Sequence, residues 1–306
     1  MDVFLGIDWG GTYVKAGIIT PRGKILKKIT CQSREFKKKD VFIYKIKKLI
    51  KDFNKFSIKA VGIGAPGIID IKKGFIYYLP NIHGWYNYPL RAILEKELKL
   101  PVFLDNDANV FALAEARLGA GKGKRNIIFL TLGTGLGGAV IFDGKILEAS
   151  TSAAELGHVP LSLKGRRCGC GGRGCIETFT GANNLLRRYN ELKGGSCLPK
   201  EVREIYYAAL KKDKAALTVW KEFSQSLGMF LAGMVNVFNP ELIILGGGIS
   251  GAFSLFKPLL WRELRRQAMW PHTKNLKLVK AKLKDAGIIG AGLLAKEGIE
   301  SSRQRG

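Results

Sequence analysis

The sequence predicts an α/β protein built from two related halves, and three observations support that fold class. Its 306 residues exceed the usual size of one domain and suggest two. Short apolar strands alternate with amphipathic helices, which is the pattern of a mostly parallel or mixed sheet covered on both faces. A glycine-rich hairpin at residues 4–26 is echoed at residues 129–147, a domain-sized offset that indicates duplication of a whole α/β unit.

The first half continues after its hairpin with helices and buried strands. Residues 36–56 place apolar side chains at helical spacing, with lysines along the polar side. A basic amphipathic helix can lie on a membrane or on DNA, but a core-packed helix with a solvated face explains the pattern better. Residues 60–65 and 102–104 predict short strands, and residues 108–118 predict the helix that follows them.

The second half repeats this alternation after a Gly/Lys-rich stretch at residues 119–124, which we take as the boundary between domains. Its predicted elements are a strand from Ile127, a helix over 216–238, a strand over 241–245, a helix over 253–267, a strand near 276–281 and a helix near 288–297.

Composition indicates an ordered globular protein, with 46% hydrophobic and 25% charged residues. The two longest uncharged stretches, 126–142 and 224–240, are interrupted by glycines or end in Asn-Pro, so neither predicts a membrane span of about 20 apolar residues. An acid at the second position also argues against a signal peptide. We therefore expect a soluble, cytoplasmic protein with no membrane partner.

The charge balance is unusual, because 50 Lys and Arg against 25 Asp and Glu give a net charge of +25. Such a charge bears on binding partners and solubility. It is compatible with binding to nucleic acid, to an acidic membrane surface or to anionic substrates.

Glycine-rich turns in both halves suit phosphate binding, since glycine lets backbone N–H groups approach an anion closely. Asp8 precedes Gly10, Gly11 and Thr12, and an acid beside a phosphate requires a cation, which suggests Mg²⁺ with a nucleotide. The second hairpin offers the turn at residues 133–138.

That second turn also matches the dinucleotide fingerprint G-x-G-x-x-G. A Rossmann turn opens a helix, whereas residues 139–144 read as a strand that runs into a turn. A third cluster, residues 246–251, does precede a helix and can hold a nucleoside or phosphate. The next strand ends in lysines rather than in the ribose-binding acid, so NAD binding is disfavoured.

Four Asp and Asn side chains crowd into residues 105–109, between a strand end and a helix start. One of them would satisfy the helix N-terminus, so we expect the others to include a functional group. A carboxylate at this place can take a proton from a substrate hydroxyl.

A compact group of metal-binding side chains follows in the second half. His158, Cys168, Cys170 and Cys175 form a complete Cys₃His set for tetrahedral Zn²⁺, with no position left for water, which predicts a structural site. The alternative is three free thiols beside a histidine. Glu155 and Glu177 bracket the set and can face a shared ligand. We expect the remaining Cys31, Cys197, His83 and His272 to be structural or surface residues.

Several motifs together resemble the sugar kinases of the ROK family, which have the actin-like (ribonuclease H-like), hexokinase-type ATPase fold. The motifs, spread over nearly the whole chain, are GIDWGGT, GAPGIID, LDNDAN, LGTGLGG, ELGH, CGCGGRGCIE, PELIILGGG and AGIIGAGLLA. The resemblance implies a small N-terminal domain over 1–118, completed by a C-terminal helix at about 286–300, and a larger zinc-bearing domain over 119–285, with an interdomain cleft that holds the sugar.

The resemblance also implies roles for single residues. Asp107 looks like the general base, and Asn106 like the residue that holds a neighbouring hydroxyl. The other implied sugar contacts are Gly67, Asn81, Glu155, Glu177 and His158, the last through the ring nitrogen that does not bind zinc. The implied nucleotide contacts are Asp8 with Mg²⁺, Gly10, Gly11, Thr12, Thr134, Gly135, Gly247 and Gly248.

The expected activity is phosphoryl transfer from Mg-ATP to a hexose, with O6 of glucose as the first choice and fructose, mannose, allose or an N-acetylhexosamine as alternatives. The departures from the family pattern are Trp9 and Ala139. A helix-turn-helix of the kind carried by repressor members is not expected ahead of Val3. The second hypothesis is a non-catalytic sugar sensor or nucleic-acid binder, but the basic residues are spread along the chain. We expect no nucleic-acid partner and a homodimer or homotetramer.

Overall fold

The computed structural model describes residues 2–80, 82, 84–149, 151–194 and 199–304. The strands are β1 (Asp2–Trp9), β2 (Tyr13–Ile19), β3 (Ile25–Gln32), β4 (Ser57–Ala65), β5 (Ile68–Asp70), β6 (Phe75–Tyr78), β7 (Tyr86–Tyr88), β8 (Val102–Asn106), β9 (Ile127–Leu132), β10 (Leu136–Phe142), β11 (Lys145–Ile146), β12 (Leu242–Gly246) and β13 (Lys277–Lys280). The helices are α1 (Lys39–Asp52), α2 (Leu90–Leu98), α3 (Asp107–Leu118), α4 (Glu177–Thr180), α5 (Ala182–Lys193), α6 (Val202–Leu210), α7 (Lys214–Phe238), α8 (Phe253–Gln267), α9 (Trp270–Thr273) and α10 (Ala286–Arg303).

The chain forms two compact units. Unit 1 comprises residues 1–123, 146–153 and 282–306, and unit 2 comprises residues 124–145 and 154–281. The expected interdomain cleft stays a prediction. Each unit is built on its own five-stranded sheet, and unit 1 adds a three-stranded antiparallel sheet, β5-β6-β7.

The two five-stranded sheets share one strand order. Unit 1 has β3-β2-β1-β4-β8 and the other sheet has β11-β10-β9-β12-β13. In both sheets the first long hairpin is antiparallel, β1 with β2 and β9 with β10. The pairs on the other side of that hairpin are parallel: β1 with β4 and β4 with β8 in unit 1, and β9 with β12 and β12 with β13 in unit 2. The predicted α/β class with mixed sheets is confirmed, and the equal strand order supports the duplication inferred from the two hairpins.

Aromatic side chains fill the core of unit 1 on one side of its sheet. Trp9 is fully buried, with its ring centroid 4.2 Å from that of Phe42 and 4.7 Å from that of Trp85. The residue that departs from the family pattern at position 9 is therefore part of the apolar core. Helices α3 and α10 pack against the unit as well, and α10 contacts β1 and β4.

The predicted helix over 36–56 is shorter in the structure. A 3₁₀ turn covers Ser33–Phe36, and α1 then runs from Lys39 to Asp52. Its buried residues, Phe42, Ile46 and Leu49, are the apolar ones that the spacing indicated. The polar side of the helix faces solvent, as the core-packed interpretation expects.

Unit 2 is organised around α7, a helix of 25 residues that packs along α8. Its N-terminus is capped by Asp213, whose carboxylate accepts from the backbone N–H of Ala216 at 2.8 Å. Among the helices in the described part of the chain, none combines the length and the hydropathy needed to cross a bilayer.

Glu115 is a buried carboxylate that fastens two chain segments of unit 1 together. It is fully buried, and its Oε2 accepts from the backbone N–H of Ala120 at 2.8 Å. Its Oε1 accepts from the N–H groups of Lys282 and Leu283 at 2.8 and 2.7 Å. Bonds of this kind to an ionised acceptor are stronger than neutral ones. One side chain therefore satisfies backbone donors on two segments of unit 1, the end of its N-terminal segment at Ala120 and the start of its C-terminal segment at Lys282 and Leu283.

We predict that Glu115→Ala lowers the free energy of unfolding by about 3 kcal/mol, because three backbone donors lose their acceptor. The matched control is Glu297→Ala, which removes a half-exposed carboxylate paired with Arg117 at 2.8 Å and costs less than about 1 kcal/mol. Urea unfolding followed by circular dichroism measures both. Equal losses in the two variants would contradict the assigned role.

Candidate active site and metal centre

Two acidic residues that the sequence predicts for the site, Asp8 and Asp107, lie at one edge of the unit 1 sheet. Strands β1, β4 and β8 pair in parallel, so their carboxyl ends lie side by side, which is where α/β sheets hold ligands. Asp8 lies near the end of β1, and Asp107 follows the end of β8 as the first residue of α3. The topology thus brings together two carboxylates that are about a hundred residues apart in the sequence.

All four polar side chains at residues 105–109 take part in hydrogen bonds within the chain. Asp105 is buried, and its Oδ1 accepts from the backbone N–H of Asn106 at 2.7 Å and from Nδ2 of Asn109 at 2.8 Å. Asn106 caps α3, because its Oδ1 accepts from the N–H of Ala108 at 2.8 Å. Its Nδ2 lies 3.4 Å from the carbonyl oxygen of Gly67. The sequence analysis expected one of these side chains to cap the helix, but more than one of them is hydrogen-bonded at the start of α3.

Oδ1 of Asp107 also accepts from the N–H of Ala108 at 2.8 Å, but the surroundings of this carboxyl group favour a proton-accepting role. Burial raises the pKa of Asp107 to about 6, and the like charge of Asp8 adds to the rise. Burial also raises the pKa of Asp8 itself. A carboxyl group with a pKa near the working pH is a more effective general base than an ordinary aspartate. Burial raises the pKa of Asp105 to about 7, but its hydrogen bonds tie it to the helix start.

The other predicted residues of unit 1 form turns around this edge. Gly67 has φ +97°, and a Cβ there would lie 2.3 Å from the carbonyl oxygen of Tyr78, so only glycine fits. Gly10 is held by Ser33, whose hydroxyl donates to its carbonyl oxygen at 2.6 Å, while Gly11 and Thr12 form the exposed tip of the hairpin. The predicted sugar contact Asn81, like His83 and Cys197, lies outside the described residues.

Unit 2 brings its two predicted nucleotide turns into one cavity of about 620 Å³. Gly133 and Thr134 contribute from the β9–β10 turn, and Gly248 contributes from the 3₁₀ turn that leads into α8. Gly135 and Gly247 flank these residues in the chain. The volume lies in the usual range for small-molecule sites. Since β10 follows the first turn directly, the rejection of a Rossmann fingerprint at residues 133–138 is supported.

Sequence reasoning missed most of the wall of this cavity. The additional lining residues are Ala182, Asn183, Leu186, Lys200, Glu201, Val202, Arg203, Tyr206, Tyr207, Trp220, Ile249, Gly251 and Ala252. They come mainly from α5, α6 and the 3₁₀ turn before α8, with Trp220 from α7. The amphipathic pattern of a helix predicts only that it packs on a core. The available signal was the pair of adjacent tyrosines in α6, one of which, Tyr207, is 47% exposed.

Glu177 joins the second phosphate turn to the metal-binding loop. Its Oε2 accepts from the backbone N–H of Leu136 at 2.9 Å, and its Oε1 lies 3.8 Å from Sγ of Cys168. A Cβ on Gly135 would lie 2.1 Å from the same carboxylate, so glycine is required for this approach. The predicted sugar-facing glutamates, Glu155 and Glu177, both lie in unit 2. The carbonyl oxygen of Glu155 accepts from the backbone N–H of His158 at 3.0 Å.

His158, Cys168, Cys170 and Cys175 converge as the sequence predicts, with their ligand atoms all within 4.8 Å of one another. Nδ1 of His158 lies 3.5 Å from Sγ of Cys168, and the Sγ atoms of Cys170 and Cys175 lie 3.7 Å apart. Zinc–ligand bonds of about 2.0–2.3 Å at tetrahedral angles give ligand separations of about 3.5–3.8 Å. The four residues therefore fit a zinc ion.

The protonation chemistry of the thiols also suits a cation. Burial and the neighbouring thiols of Cys170 and Cys168 together raise the pKa of Cys175 to about 12. Burial also raises the pKa of Cys168, whereas the backbone N–H of Gly172 lowers the pKa of Cys170. Two of the three thiols therefore resist ionisation, and a metal bound among them would supply the positive charge that favours their thiolate forms. Cys31 lies apart from this cluster, in β3 of unit 1, consistent with the structural role expected of it.

Comparison with known proteins gives consistent matches along the whole chain. The sequence profile of the ROK family matches residues 4–298. The glucokinase of Thermotoga maritima is 37% identical, over 96% of this chain and 98% of that protein. A ROK family glucokinase from Streptomyces griseus, solved with glucose and AMPPNP, has a TM-score of 0.81 and 32% identity, over 97% of this chain and all of that one. A ROK family transcriptional regulator, described as a homologue of the E. coli MLC protein, has a TM-score of 0.87 and 26% identity, over 96% and 77%.

We predict that the purified protein contains one equivalent of zinc and that Cys175→Ser retains about a tenth of it or less, because a serine hydroxyl does not replace a thiolate ligand. The variant should also melt at a lower temperature. Cys31→Ser is the matched control and should keep its zinc. Elemental analysis by mass spectrometry measures the metal, and full zinc occupancy in Cys175→Ser would show that the cluster is not the site.

Proposed function

The chain belongs to the ROK family, and from that premise we propose that it is an ATP-dependent hexose kinase. The proposed reaction transfers the γ-phosphoryl group of Mg-ATP to a hexose hydroxyl, with Asp107 as the general base. The observation that carries the proposal is the carboxyl group of Asp107, which starts α3 at the ligand-binding edge of the unit 1 sheet and has a pKa of about 6.

Unit 1 supplies the base and, we infer, contacts to the sugar. Asp107 takes the proton from the attacking hydroxyl, which leaves an alkoxide-like oxygen to attack phosphorus. Asn106 and Gly67 are the proposed contacts to neighbouring hydroxyls, and the 3.4 Å approach of Nδ2 of Asn106 to the Gly67 carbonyl keeps the two residues together. Asn81 remains a proposed contact on the strength of its motif alone.

Unit 2 supplies the proposed nucleotide site. The cavity of about 620 Å³ joins Gly133 and Thr134 to Gly248, so the base and ribose can lie against α6 and the 3₁₀ turn while the phosphates reach the glycine turn. Asp8 and the hairpin at Gly10–Thr12 are the proposed partners of the nucleotide's Mg²⁺ and phosphates. Phosphoryl transfer needs mainly positioning and neutralisation of charge, which these turns and the cation provide.

Glu155, His158 and Glu177 are the proposed sugar contacts of unit 2. With Nδ1 of His158 turned towards the thiols, Nε2 stays available for a sugar hydroxyl. A zinc ion held by His158, Cys168, Cys170 and Cys175 would fix the loop that carries these side chains and would supply no chemistry to the phosphoryl group.

Glucose is the proposed acceptor, with phosphorylation at O6, since glucokinases are among the relatives over nearly the full length of the chain. Fructose, mannose, allose and N-acetylhexosamines are the alternatives. A non-catalytic sugar-responsive protein is the second candidate, because a transcriptional regulator shares the fold. A sensor does not need a base with a raised pKa beside a glycine hairpin, which favours the kinase. The homodimer or homotetramer stays a prediction.

We predict that Asp107→Asn lowers kcat at least about 100-fold while the Kd for the hexose changes by less than about threefold, because the amide keeps the shape but cannot accept the proton. A coupled assay of ADP release across a hexose panel measures kcat, and calorimetry measures sugar binding. Asp52→Asn, an exposed change of equal charge at the end of α1, is the control and should behave as the unaltered protein. Near-normal turnover in Asp107→Asn would remove Asp107 from the mechanism.

We further predict an acid limb in the pH profile. The raised pKa of Asp107, about 6, means that the carboxylate form is lost as the pH falls through 6, so kcat/KM for the hexose should fall about tenfold per pH unit below that point. Asp8→Asn removes the like charge that raises this pKa and should move the limb to lower pH, whatever its effect on the rate itself. A profile that stays flat down to pH 5 would contradict the assignment.

A further inference from the structure

A second cavity in unit 2, of about 360 Å³, is lined by charged side chains. Its walls come from the loop around residues 162–166, which leads into the metal cluster, and from α4, α5 and α7. It shares no lining residue with the nucleotide cavity. The charged residues that line it are Lys164, Arg166, Arg187, Arg188, Glu191 and Glu222.

Positive charge exceeds negative charge in this cavity. Three guanidinium groups converge on one carboxylate: Nη2 of Arg166 lies 2.8 Å from Oε1 of Glu191, Nη1 of Arg188 lies 3.5 Å from its Oε2, and Arg187 also pairs with it. Glu222 offsets Arg188 alone, through bonds of 2.8 and 2.7 Å. Four cationic side chains thus face two carboxylates, which leaves an excess of about two positive charges.

That excess matches a phosphate dianion. A phosphate monoester carries a charge of about −1.5 to −2 at pH 7 and presents three acceptor oxygens, and guanidinium groups bind such oxygens through paired N–H donors. One carboxylate cannot use all the donors of three arginines. Hydroxyl and amide side chains of Ser162, Thr178, Asn184 and Ser226 also line the cavity and suit the polar remainder of a small metabolite. We propose that this basic cavity is a second ligand site, which binds the phosphate dianion of a small phosphorylated molecule.

Helix α5 gives the site a route to the nucleotide cavity. One side of α5 lines the nucleotide cavity through Asn183 and Leu186, and the other side lines the basic cavity through Asn184 and Arg187. Helix α4 makes a second link, since Thr178 lines the basic cavity while the adjacent Glu177 holds the N–H of Leu136 in the phosphate turn. Because Arg187 lies on α5 and Thr178 lies on α4, a dianion bound in the cavity contacts both helices and biases their positions. Regulation in this way rests on the proposed kinase function.

The test measures binding first, so that it does not depend on activity. Calorimetry at fixed ionic strength titrates the zinc-loaded protein with inorganic phosphate and, separately, with a hexose 6-phosphate, against chloride. The double variant Arg166→Gln, Arg187→Gln removes two of the converging cations and should weaken phosphate binding at least about tenfold. Arg265→Gln, an exposed arginine on α8, is the control and should change the Kd by less than about twofold. Tighter binding of the ester than of phosphate would identify the metabolite as the source.

Two results would overturn the proposal. The first is no uptake of phosphate at a total concentration of about 10 mM. The second is equal phosphate affinity in the double variant, and a lower melting temperature of that variant would then make the arginines purely structural. A kinase assay of the same variants keeps the two proposals separate. Loss of phosphate binding with normal basal turnover supports the second site, whereas phosphate binding without any hexose phosphorylation would refute the proposed function and leave the site standing.

Discussion

The loss of solvation of three carboxyl groups at the edge of the unit 1 sheet is the constraint on which the rest of the candidate site depends. Parallel pairing of β1, β4 and β8 places Asp8, Asp105 and Asp107 at that edge, and burial raises the pKa of each. A folded-state pKa above the unfolded value lowers stability, and this loss develops as the pH rises from about 4 and is complete above the raised pKa. The fold therefore keeps carboxyl groups that a bound cation or an incoming proton would stabilise, which suits the proposed general base.

Local sequence patterns were sufficient to predict most strands of the two five-stranded sheets, the two glycine-rich hairpins and the Cys₃His cluster, because each depends on neighbours in the chain. The small β5-β6-β7 sheet was not predicted. The cysteines lie within eight residues of one another, so their spacing alone constrains the geometry. The roles within residues 105–109 were less accessible, since Asp105 and Asp107 both follow a strand and differ only in what surrounds them. Burial of Asn109 and its bond to Asp105 at 2.8 Å decide between them, and both depend on packing of α3 that no local pattern specifies.

The cavities of unit 2 could not be predicted for a related reason. Each is assembled from helices and loops far apart in the sequence, and the amphipathic pattern of α5 indicates which side is apolar but not that its two flanks face different cavities. Glu115 illustrates the same limit, because its partners Lys282 and Leu283 lie more than 160 residues away. The signal available in the sequence was an acid within the otherwise apolar stretch 110–116 of α3, and only its partners explain why it is there.

Net charge and local geometry would affect different steps of anion binding at the proposed sites. A charge of +25 produces a positive potential over much of the surface, which raises the encounter rate of any anionic ligand but does not select among them. Selection would then fall to the proposed sites, where donors are fixed: the glycine turn of unit 2, next to which Glu177 holds the N–H of Leu136, and the basic cavity, where arginines are held around Glu191. In both proposed sites a carboxylate holds neighbouring groups in place, so removal of that acid would add positive charge and yet should weaken anion binding, since the donors would lose their fixed positions.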